Sequence, residues 1–474
     1  MLELYLASDP ANNGLFITGL RTTGIYCLPS CRPPRRPKPE NLLFFATPEE
    51  ARAAGLRACK LCRPDDFYLG QHAGEALGEG LVAGMALDPG AYRNLSALTA
   101  AADVGSSKLH ELFRTHYHTT PAEMLARLRI AAARRMLLRG QRPVAEIAFE
   151  VGFESLSAFN DNFRKYTAMS PAKYRRLPEA ASFELSLPDD YPLTRILAYL
   201  GRDRNSLTER VEGQSCLIAY QAADEAALVR IVFADGLARC AVVIPEQPGP
   251  EKMEALHGRV LATLGLTVDP ARFEAQVTGS PELAPLIDGQ RGLRVPLLAD
   301  PFDGLVWAIV GQQINLAFAY TLRRRLIELV SQPLGERLYA PPSVAAVAAL
   351  EPEALLPLSF SRAKASYLIG AARSALDGRL PLDALAGSSA TRIERTLLAV
   401  RGIGPWSAHY LMMRHYGFLD CVPIGDTGLT SGLKQFFALK ERPGRIETLA
   451  LMDRFSPYRS LATFHLWQRH GAVA

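Results

Sequence analysis

The sequence lacks the features that would place this chain in a membrane or outside the cell. No apolar run approaches the roughly 18 residues that a membrane-spanning helix needs. The opening residues carry an early acid, Glu3, and no basic cluster, so they are unlike a signal peptide. Cysteine is scarce, and its odd count of seven argues against a disulfide framework. These absences predict a cytoplasmic protein with no membrane partner.

The length and the net charge of the chain indicate its domain count but do not settle whether it binds nucleic acid. A chain of 474 residues is too long for one ordinary core and indicates about three domains. The net charge of +5 is modest, and all of it lies within residues 1–181. A basic N-terminal part attracts phosphate backbones, although this excess also suits an ordinary solvated surface. Charge alone therefore leaves nucleic-acid binding open.

The residue pattern changes three times along the chain. Residues 1–75 are rich in turn formers, with five prolines between Pro29 and Pro39. Residues 91–177 have the apolar spacing of three and four that is typical of helices. Residues 182–268 alternate as strands do, and helical patterns return from Asp300 onward. The short junction at 178–182 predicts limited freedom between neighbouring domains.

One internal repeat lies in the first helical segment. Segments 113–121 and 163–171 each begin with Phe-Arg and end with Thr-Pro or Ser-Pro. A Val-Gly pair precedes each copy, at Val104-Gly105 and at Val151-Gly152. Two copies are too few for a solenoid, and they predict a duplicated helix-turn-helix with a glycine in the turn.

Four of the seven cysteines form two close pairs. Three residues separate Cys27 from Cys31, and two separate Cys59 from Cys62. Two such pairs can meet in space and supply four thiolates, the tetrahedral set that structural zinc prefers. Iron is the alternative metal. A proline-rich segment with little core also gains stability from a metal, so we predict one Zn²⁺ bound by all four cysteines.

The residues around these pairs resemble a known family. Segments 21–32 and 53–65 are similar to the methyl-acceptor domain of the Ada family of alkylation-response proteins. The resemblance implies that Cys27 is both a zinc ligand and the acceptor of a methyl group from a DNA methylphosphotriester. Methylation would remove one negative charge from the metal site and so favour DNA binding. Arg32 and Arg36 are expected to face the DNA backbone, with a solvated loop as the alternative.

The second copy of the repeat, from Val144 to Pro171, resembles an AraC-type DNA-binding domain. The resemblance implies a recognition helix that begins just after the turn and enters the major groove. Three polar residues at that position are the expected DNA contacts: Ser155, Ser157 and Asn160. The corresponding residues of the first copy lie near Ser106 to Lys108. A promoter site and RNA polymerase are the implied partners, and a helical hairpin without a DNA role is the alternative.

The strongest feature of the C-terminal half is the segment Gly402-Ile403-Gly404-Pro405 between two helical patterns. A Gly-x-Gly hairpin presents backbone N–H groups at a helix N-terminus, where they suit a DNA phosphate. Such hairpins occur in many loops. The context is more specific here, because Tyr410 follows closely and the acid Asp426 lies further on.

Residues 182–467 resemble the helix-hairpin-helix glycosylase superfamily, and specifically the AlkA-like 3-methyladenine DNA glycosylases. The resemblance implies Asp426 as the catalytic acid, although a helix N-cap is an alternative role for it. It also implies an aromatic pocket for an extruded base, formed by Trp406, Tyr410 and Trp467. Core packing is the alternative for the last two. Gln313 stands at the position of the duplex wedge, where an apolar residue would be the simpler choice.

Further absences refine the expected reaction. Relatives with lyase activity place a Schiff-base lysine directly after the hairpin, where this chain has Trp406, so we expect a monofunctional enzyme. A C-terminal run of four cysteines is lacking, so no iron–sulfur cluster is expected. The Pro-Cys-His-Arg motif of alkylguanine methyltransferases is lacking too.

These features together predict a multidomain, mainly α protein that repairs alkylated DNA. The expected parts are a small zinc-binding α+β domain, an all-α duplicated helix-turn-helix, an α+β subdomain and an all-α helix-hairpin-helix glycosylase domain, at 1–75, 85–178, 182–295 and 296–474. We expect a monomer that binds double-stranded DNA, both alkylated DNA and a promoter. The rival hypothesis is a methylation-sensing transcriptional regulator whose glycosylase half is degenerate.

Overall fold

Two compact units divide the chain, Met1–Gly80 and Leu81–Ala474. The computed structural model describes residues 1–8, 12–31, 37–60, 62, 64–68, 73–222 and 225–470. Helices dominate these residues and sheets are confined to three places, which confirms the predicted multidomain, mainly α class. No helix in the described ranges is both long and apolar enough to cross a membrane.

The first unit is built on a four-stranded sheet in the order β3-β1-β2-β4. The strands are β1 (Ile17–Leu20), β2 (Ile25–Cys27), β3 (Leu42–Phe45) and β4 (Arg57–Ala58), and the helices are α1 (Leu2–Ala7), α2 (Pro48–Ala53) and α3 (Pro64–Tyr68). Strand β1 pairs antiparallel with both neighbours, whereas β2 and β4 run parallel. Two small apolar clusters, around Tyr26 and around Phe16, form its core. Helix α4 (Ala73–Leu87) extends across the boundary between the units.

Two helix-turn-helix copies open the second unit, as the repeat predicts. The helices are α5 (Leu95–Ala102), α6 (Ser106–Tyr117), α7 (Pro121–Arg139), α8 (Val144–Glu150), α9 (Leu156–Thr167) and α10 (Pro171–Arg175). Gly152 takes a left-handed φ of 95° in the turn between α8 and α9, as expected for the turn glycine. The first copy differs, because Asp103 takes the left-handed conformation while Gly105 has an ordinary φ of −69°. The two Val-Gly pairs are therefore not structurally equivalent.

A five-stranded antiparallel sheet follows, in the order β5-β9-β8-β7-β6. The strands are β5 (Ser182–Ser186), β6 (Glu209–Glu212), β7 (Ser215–Ala222), β8 (Glu225–Ala234) and β9 (Leu237–Ile244), and the helices are α11 (Leu193–Leu200), α12 (Pro250–Thr263) and α13 (Ala271–Thr278). Residues along β9 largely alternate between buried and more exposed, whereas Ala227, Leu228 and Val229 of β8 are all buried because both faces of the sheet are packed there. The predicted α+β character of this region is confirmed.

Helices account for most of the remaining chain. They are α14 (Pro301–Val310), α15 (Leu316–Val330), α16 (Val344–Ala348), α17 (Pro352–Leu355), α18 (Arg362–Leu376), α19 (Ala390–Leu398), α20 (Pro405–Arg414), α21 (Thr427–Phe436), α22 (Arg445–Asp453) and α23 (Arg459–His470). A small hairpin of β10 (Pro333–Gly335) and β11 (Leu338–Tyr339) follows α15. Most residues of α14 and α20 are buried, on more than one side of each helix, and this burial fixes the loops at their ends.

The second helix-turn-helix copy and the glycosylase-like part share one apolar core. A continuous buried cluster runs from Ile130 to Trp467. Polar contacts reinforce the junction: the His257 ring lies 2.8 Å from the Thr167 carbonyl oxygen, and the Ser186 N–H donates to the Ala168 carbonyl at 2.8 Å. The predicted linker at 178–182 is a single helical turn with Leu177 buried, followed directly by β5. The buried contacts at this junction therefore oppose the motion between domains that the sequence predicts.

Candidate active site and cysteine cluster

The hairpin between α19 and α20 is built as the glycine pattern predicts. Gly402 has φ +91°, and Gly404 is the N-cap of α20, whose first-turn N–H groups have no partner within the helix. The Gln312 side chain donates to the Gly402 carbonyl at 2.8 Å and to the Ser407 hydroxyl at 3.0 Å. The loop after α14 is thereby tied to the hairpin, and both border the same cavity.

Substituting each hairpin glycine by alanine should separate backbone strain from DNA contact. A Cβ on Gly402 would lie 2.3 Å from the Tyr367 Cγ in a left-handed backbone, so Gly402→Ala is expected to destabilise the fold by about 2 kcal/mol or more. A Cβ on Gly404 meets nothing within 4 Å, so Gly404→Ala should keep its stability and lose affinity for duplex DNA. Urea unfolding and fluorescence anisotropy measure the two effects. Equal stability of the two variants would contradict this account.

Asp426 is the N-cap of α21, which is one of the two roles that the sequence left open. Its carboxylate caps α21, because Oδ1 accepts the Leu429 N–H at 2.6 Å. Two indole N–H groups also donate to it, Trp467 to Oδ1 at 2.9 Å and Trp406 to Oδ2 at 3.0 Å. Three donors therefore fix the orientation of the carboxylate.

The predicted aromatic residues meet at this carboxylate. Tyr410 stacks on Trp406, with ring centroids 5.3 Å apart and planes inclined by 27°, and Trp467 lies 6.1 Å from Tyr410. All three line a cavity of about 1080 Å³ that Asp426, Gln313 and both hairpin glycines also border. Tyr410 and Trp467 are at the same time members of the core, at 9% and 7% exposed. Both residues therefore take part in core packing and also border the cavity.

Gln313 is an exposed residue in a strained conformation at the edge of this cavity. Its φ is +56°, and a left-handed backbone at a residue other than glycine costs about 1 kcal/mol or more. The residue lies in the loop between α14 and α15, which Gln312 anchors to the hairpin. Gln313, which the sequence places at the wedge position, lines the cavity, and so does the neighbouring half-buried apolar residue Ile314.

Several lining residues were not predicted. Trp307 and Tyr320 stack on each other at 5.1 Å, and Tyr199, Arg202 and Arg414 complete the same part of the wall. Arg414 could have been found, because Trp406, Tyr410 and Arg414 recur at four-residue spacing on one face of α20. Tyr199 and Arg202 belong to the α+β subdomain, to which the sequence assigned no chemistry.

The two cysteine pairs converge as predicted. Strands β2 and β4 are paired in parallel, with Tyr26 opposite Ala58, so Cys27 and Cys59 emerge side by side. The Sγ atoms of Cys27, Cys31, Cys59 and Cys62 all lie within 4.8 Å of one another. A tetrahedron with zinc–sulfur bonds of about 2.3 Å spaces its sulfur atoms about 3.8 Å apart, so the four thiols fit a single Zn²⁺.

Two further contacts fix the cysteine cluster. The Leu28 N–H donates to the Cys62 Sγ at 3.4 Å, which is the kind of hydrogen bond that stabilises a thiolate ligand. The Tyr26 hydroxyl donates to Asp65 at 2.5 Å, and burial together with this carboxylate raises the pKa of Tyr26 to about 12. Cys27 is only 5% exposed. Arg32 and Arg36 lie outside the described residues.

The N-terminus of α9, the expected recognition helix, is exposed at the surface. Ser157 is exposed and Asn160 half-buried, whereas the Ser155 hydroxyl accepts the Ala158 N–H at 3.1 Å as the helix cap. Ser155 therefore has a structural task in addition to any DNA contact. The corresponding residues of the first copy, 106–108, are exposed at the start of α6.

A helix-hairpin-helix fold with an aromatic cavity and a fixed carboxylate defines a class, the base-excision DNA glycosylases. Three family profiles match the chain: the metal binding domain of Ada at residues 1–65, a helix-turn-helix domain at 98–177, and the HhH-GPD superfamily of base excision DNA repair proteins at 306–457. A 3-methyladenine DNA glycosylase from Archaeoglobus fulgidus shares the fold, with a TM-score of 0.55 and 18% identity over 61% of this chain and 98% of its own.

Curated relatives cover the same parts. A probable bifunctional transcriptional activator/DNA repair enzyme AlkA of Mycobacterium tuberculosis is 28% identical over 97% of this chain and 94% of its own length. The bifunctional transcriptional activator/DNA repair enzyme AdaA of Bacillus subtilis is 30% identical over 37% of this chain and 81% of its own length. The chain therefore belongs to the family of Ada- and AlkA-type bifunctional transcriptional activators and DNA repair enzymes, with an HhH-GPD superfamily domain in its C-terminal half.

Proposed function

We propose that this chain repairs alkylated DNA as a monofunctional glycosylase that hydrolyses the N-glycosidic bond of alkylated purines such as 3-methyladenine. The observation that carries the proposal is the Asp426 carboxylate, held by two indole N–H groups inside an aromatic cavity beside the hairpin. We propose for the chain the same four parts, at 1–75, 85–178, 182–295 and 296–474. The chain is proposed to act as a monomer in the cytoplasm.

The geometry suits heterolysis of the bond between base and sugar. An alkylated purine is cationic and is already a good leaving group, so the enzyme chiefly needs to stabilise the developing oxocarbenium ion. A fixed carboxylate does this electrostatically, and the donors on both of its oxygens make it a weak nucleophile. The stacked faces of Trp406 and Tyr410 attract a cationic base. No lysine lines the cavity among the described residues, which supports hydrolysis without a lyase step.

Release of free base from methylated duplex DNA tests this function. Purified protein is incubated with duplex DNA treated with a methylating agent, and released 3-methyladenine is quantified by chromatography. Intact abasic product should accumulate without strand cleavage. If a folded, zinc-loaded protein releases no base, the rival hypothesis of a methylation-sensing regulator becomes the better account.

We further propose that Cys27 accepts a methyl group from a DNA methylphosphotriester. Bound zinc would keep the four thiols ionised at neutral pH and so supply a nucleophile. The thiolate forms a sulfur–carbon bond as the methyl–oxygen bond breaks, and the phosphodiester leaves with its negative charge. Because Cys27 is 5% exposed, its reaction is restricted to a substrate that binding has positioned.

Mass spectrometry of the protein after incubation with methylated DNA checks the acceptor. One methyl group is expected on the peptide that contains Cys27 and on no other cysteine of the cluster. Cys240→Ser, at a buried cysteine of the five-stranded sheet, should still be methylated at Cys27. A methyl group on Cys59 or Cys62, which are more exposed, would transfer the role to that residue.

The helix-turn-helix part is proposed to bind a promoter through Ser157 and Asn160 of α9, with Ser155 chiefly a cap. Methylation at Cys27 would lower the negative charge of the cysteine cluster and increase affinity for DNA. RNA polymerase is the proposed partner at that promoter.

A further inference from the structure

A second large cavity lies between the helix-turn-helix part and the glycosylase-like part, and it shares no lining residue with the base cavity. Its volume is about 600 Å³, within the range of roughly 300–1,000 Å³ that small-molecule sites occupy. Helices α6, α7 and α9 form one side. Two polar contacts tie the sides together: Arg272 of α13 pairs with Glu123 at 3.0 Å, and the Asp420 N–H donates to the His118 Nδ1 at 3.2 Å. The cavity is therefore preformed in the fold.

Positive charge exceeds negative charge on the lining of this cavity. Three of the four lining carboxylates already have a cationic partner, in the pairs Glu123–Arg272, Asp190–Arg294 and Glu111–Lys108. The fourth, Asp269, is exposed and accepts the Ala271 N–H at 3.0 Å. Four lining cations have no carboxylate oxygen within 4.0 Å in the described part of the chain: Arg114, Arg127, Arg164 and Lys165. The lining therefore attracts an anion.

His118 adds a neutral hydrogen-bond donor to these cations. Its Nδ1 accepts the Asp420 N–H, so the ring proton lies on Nε2, which makes no hydrogen bond within the described ranges. Burial lowers the pKa of His118 to about 4, so the ring is uncharged at neutral pH. A neutral ring in this tautomer can donate from Nε2 to an oxygen of a bound anion, such as a phosphate.

The rest of the lining suits a base and a sugar better than a bare ion. Tyr166 lies on the helix-turn-helix side and Tyr458 on the glycosylase-like side. The Lys165 Nζ is 5.8 Å from the centroid of the Tyr166 ring. Leu266 and Val268, both buried, add apolar surface. Aromatic rings stack on nucleobases of any kind, and guanidinium groups bind phosphate. The lining therefore combines the two kinds of group that recognise a nucleotide.

A DNA duplex fits this cavity less well than a small molecule. A recognition helix reads bases by entering a major groove, and Ser107, at the expected DNA-contacting start of α6, borders the cavity. The glycosylase-like part lies opposite this side of α6, and the contacts of Glu123 and His118 hold it there. A duplex on this side of α6 would need the space that α13 and Tyr458 occupy.

We propose that this cavity binds a mononucleotide, with its phosphate held by the four unpaired cations and His118 and its base against Tyr166 or Tyr458. The proposal is independent of the glycosylase function, because none of these residues borders the base cavity. Since both sides of the cavity belong to the second unit, a bound nucleotide should also stabilise that unit against unfolding.

Isothermal titration calorimetry of the full chain tests the proposal, with dAMP and dCMP as purine and pyrimidine probes. We expect a dissociation constant below about 1 mM for at least one of them. If dAMP is the tighter probe, 2′-deoxyadenosine, which lacks the phosphate, should bind at least about tenfold more weakly, and 2′-deoxycytidine serves in the same way for dCMP.

A double variant, Arg114→Gln with Arg164→Gln, locates the nucleotide. Both side chains are exposed, so the core stays intact, and binding of the tighter nucleotide should weaken at least about tenfold. The matched control is Arg176→Gln, at an exposed arginine of the helix-turn-helix part outside the cavity, which should bind as wild type does. Thermal unfolding with and without the nucleotide should show stabilisation in wild type and in the control, and little in the double variant.

Four results would overturn the proposal. The first is that neither nucleotide binds, and the second is that the nucleoside binds as tightly as its nucleotide. The third is a double variant that binds the nucleotide normally, because the nucleotide then lies elsewhere; if this variant also loses affinity for a lesion-free duplex, its arginines contact the DNA backbone. The fourth is an equal loss in Arg176→Gln, which would assign the attraction to overall charge. Base release enters none of these readouts, so the glycosylase proposal stands or fails separately.

Discussion

Asp426→Asn is expected to reduce release of 3-methyladenine at least about 100-fold while the chain stays folded. An asparagine oxygen can still accept the Leu429 N–H and so keep the cap of α21. With that oxygen at the Oδ1 position, the amide nitrogen takes the place of Oδ2 and faces the Trp406 indole N–H, so two donors oppose each other. Both the negative charge and its fixed orientation are lost, while the helix remains.

The matched control for this substitution is Asp453→Asn, which makes the same chemical change on an exposed residue of α22 away from the cavity. Base release by chromatography and thermal unfolding are measured on both variants. If Asp426→Asn released 3-methyladenine at a near-normal rate with normal stability, Asp426 would be a helix cap without a catalytic role. A large fall in unfolding temperature would instead show that its three donors matter mainly for stability.

Removal of zinc is expected to unfold the first unit and to leave the second folded. The described core of the first unit consists of two clusters with five and four buried residues. Structural zinc contributes roughly 10–16 kcal/mol to small zinc domains, more than such clusters supply. The continuous core of the second unit contains no part of the cysteine cluster.

Calorimetry of the full chain with and without a strong chelator checks this expectation, together with proteolysis of residues 1–68. With the chelator, the unfolding transition of the first unit should disappear. The unfolding transition of the second unit should keep its temperature, and glycosylase activity should persist. Cys59→Ser should have the effect of the chelator, whereas Cys240→Ser should leave the first transition unchanged. A simultaneous shift of both transitions would show that the units depend on each other.

Local sequence signals predicted the parts of the site that lie on one segment. The cysteine spacing predicted the metal cluster, and the hairpin glycines predicted the turn that presents α20. Trp406, Tyr410, Trp467 and Asp426 were predicted from the resemblance to AlkA-like glycosylases and not from a local pattern. The parallel pairing of β2 with β4, which brings the two cysteine pairs together, is a tertiary contact that spacing alone does not encode.

Long-range and register-dependent features were missed. Tyr199 and Arg202 lie about two hundred residues before Asp426 in the sequence, and only the packing of α11 against the C-terminal helices brings them to the cavity. The first helix-turn-helix copy misled in a different way. Its glycine at 105 resembles the turn glycine of the second copy, yet Asp103 adopts the left-handed conformation there. Aspartate tolerates that conformation, so a search for glycine alone misplaces the turn.

The shared core of the second unit has a consequence for how such chains diversify. Tyr174 of α10 and His257 of α12 lie against each other with ring centroids 5.1 Å apart, and both are fully buried. If recombination at residues 178–182 exchanged the helix-turn-helix part for another, the apolar surface between Tyr174 and His257 would lose its packing partner on both fragments. A new combination must therefore supply a complementary surface. The helix-turn-helix and the glycosylase domain are expected to be inherited together. The cysteine unit, which has its own core, is the part that can be gained or lost alone.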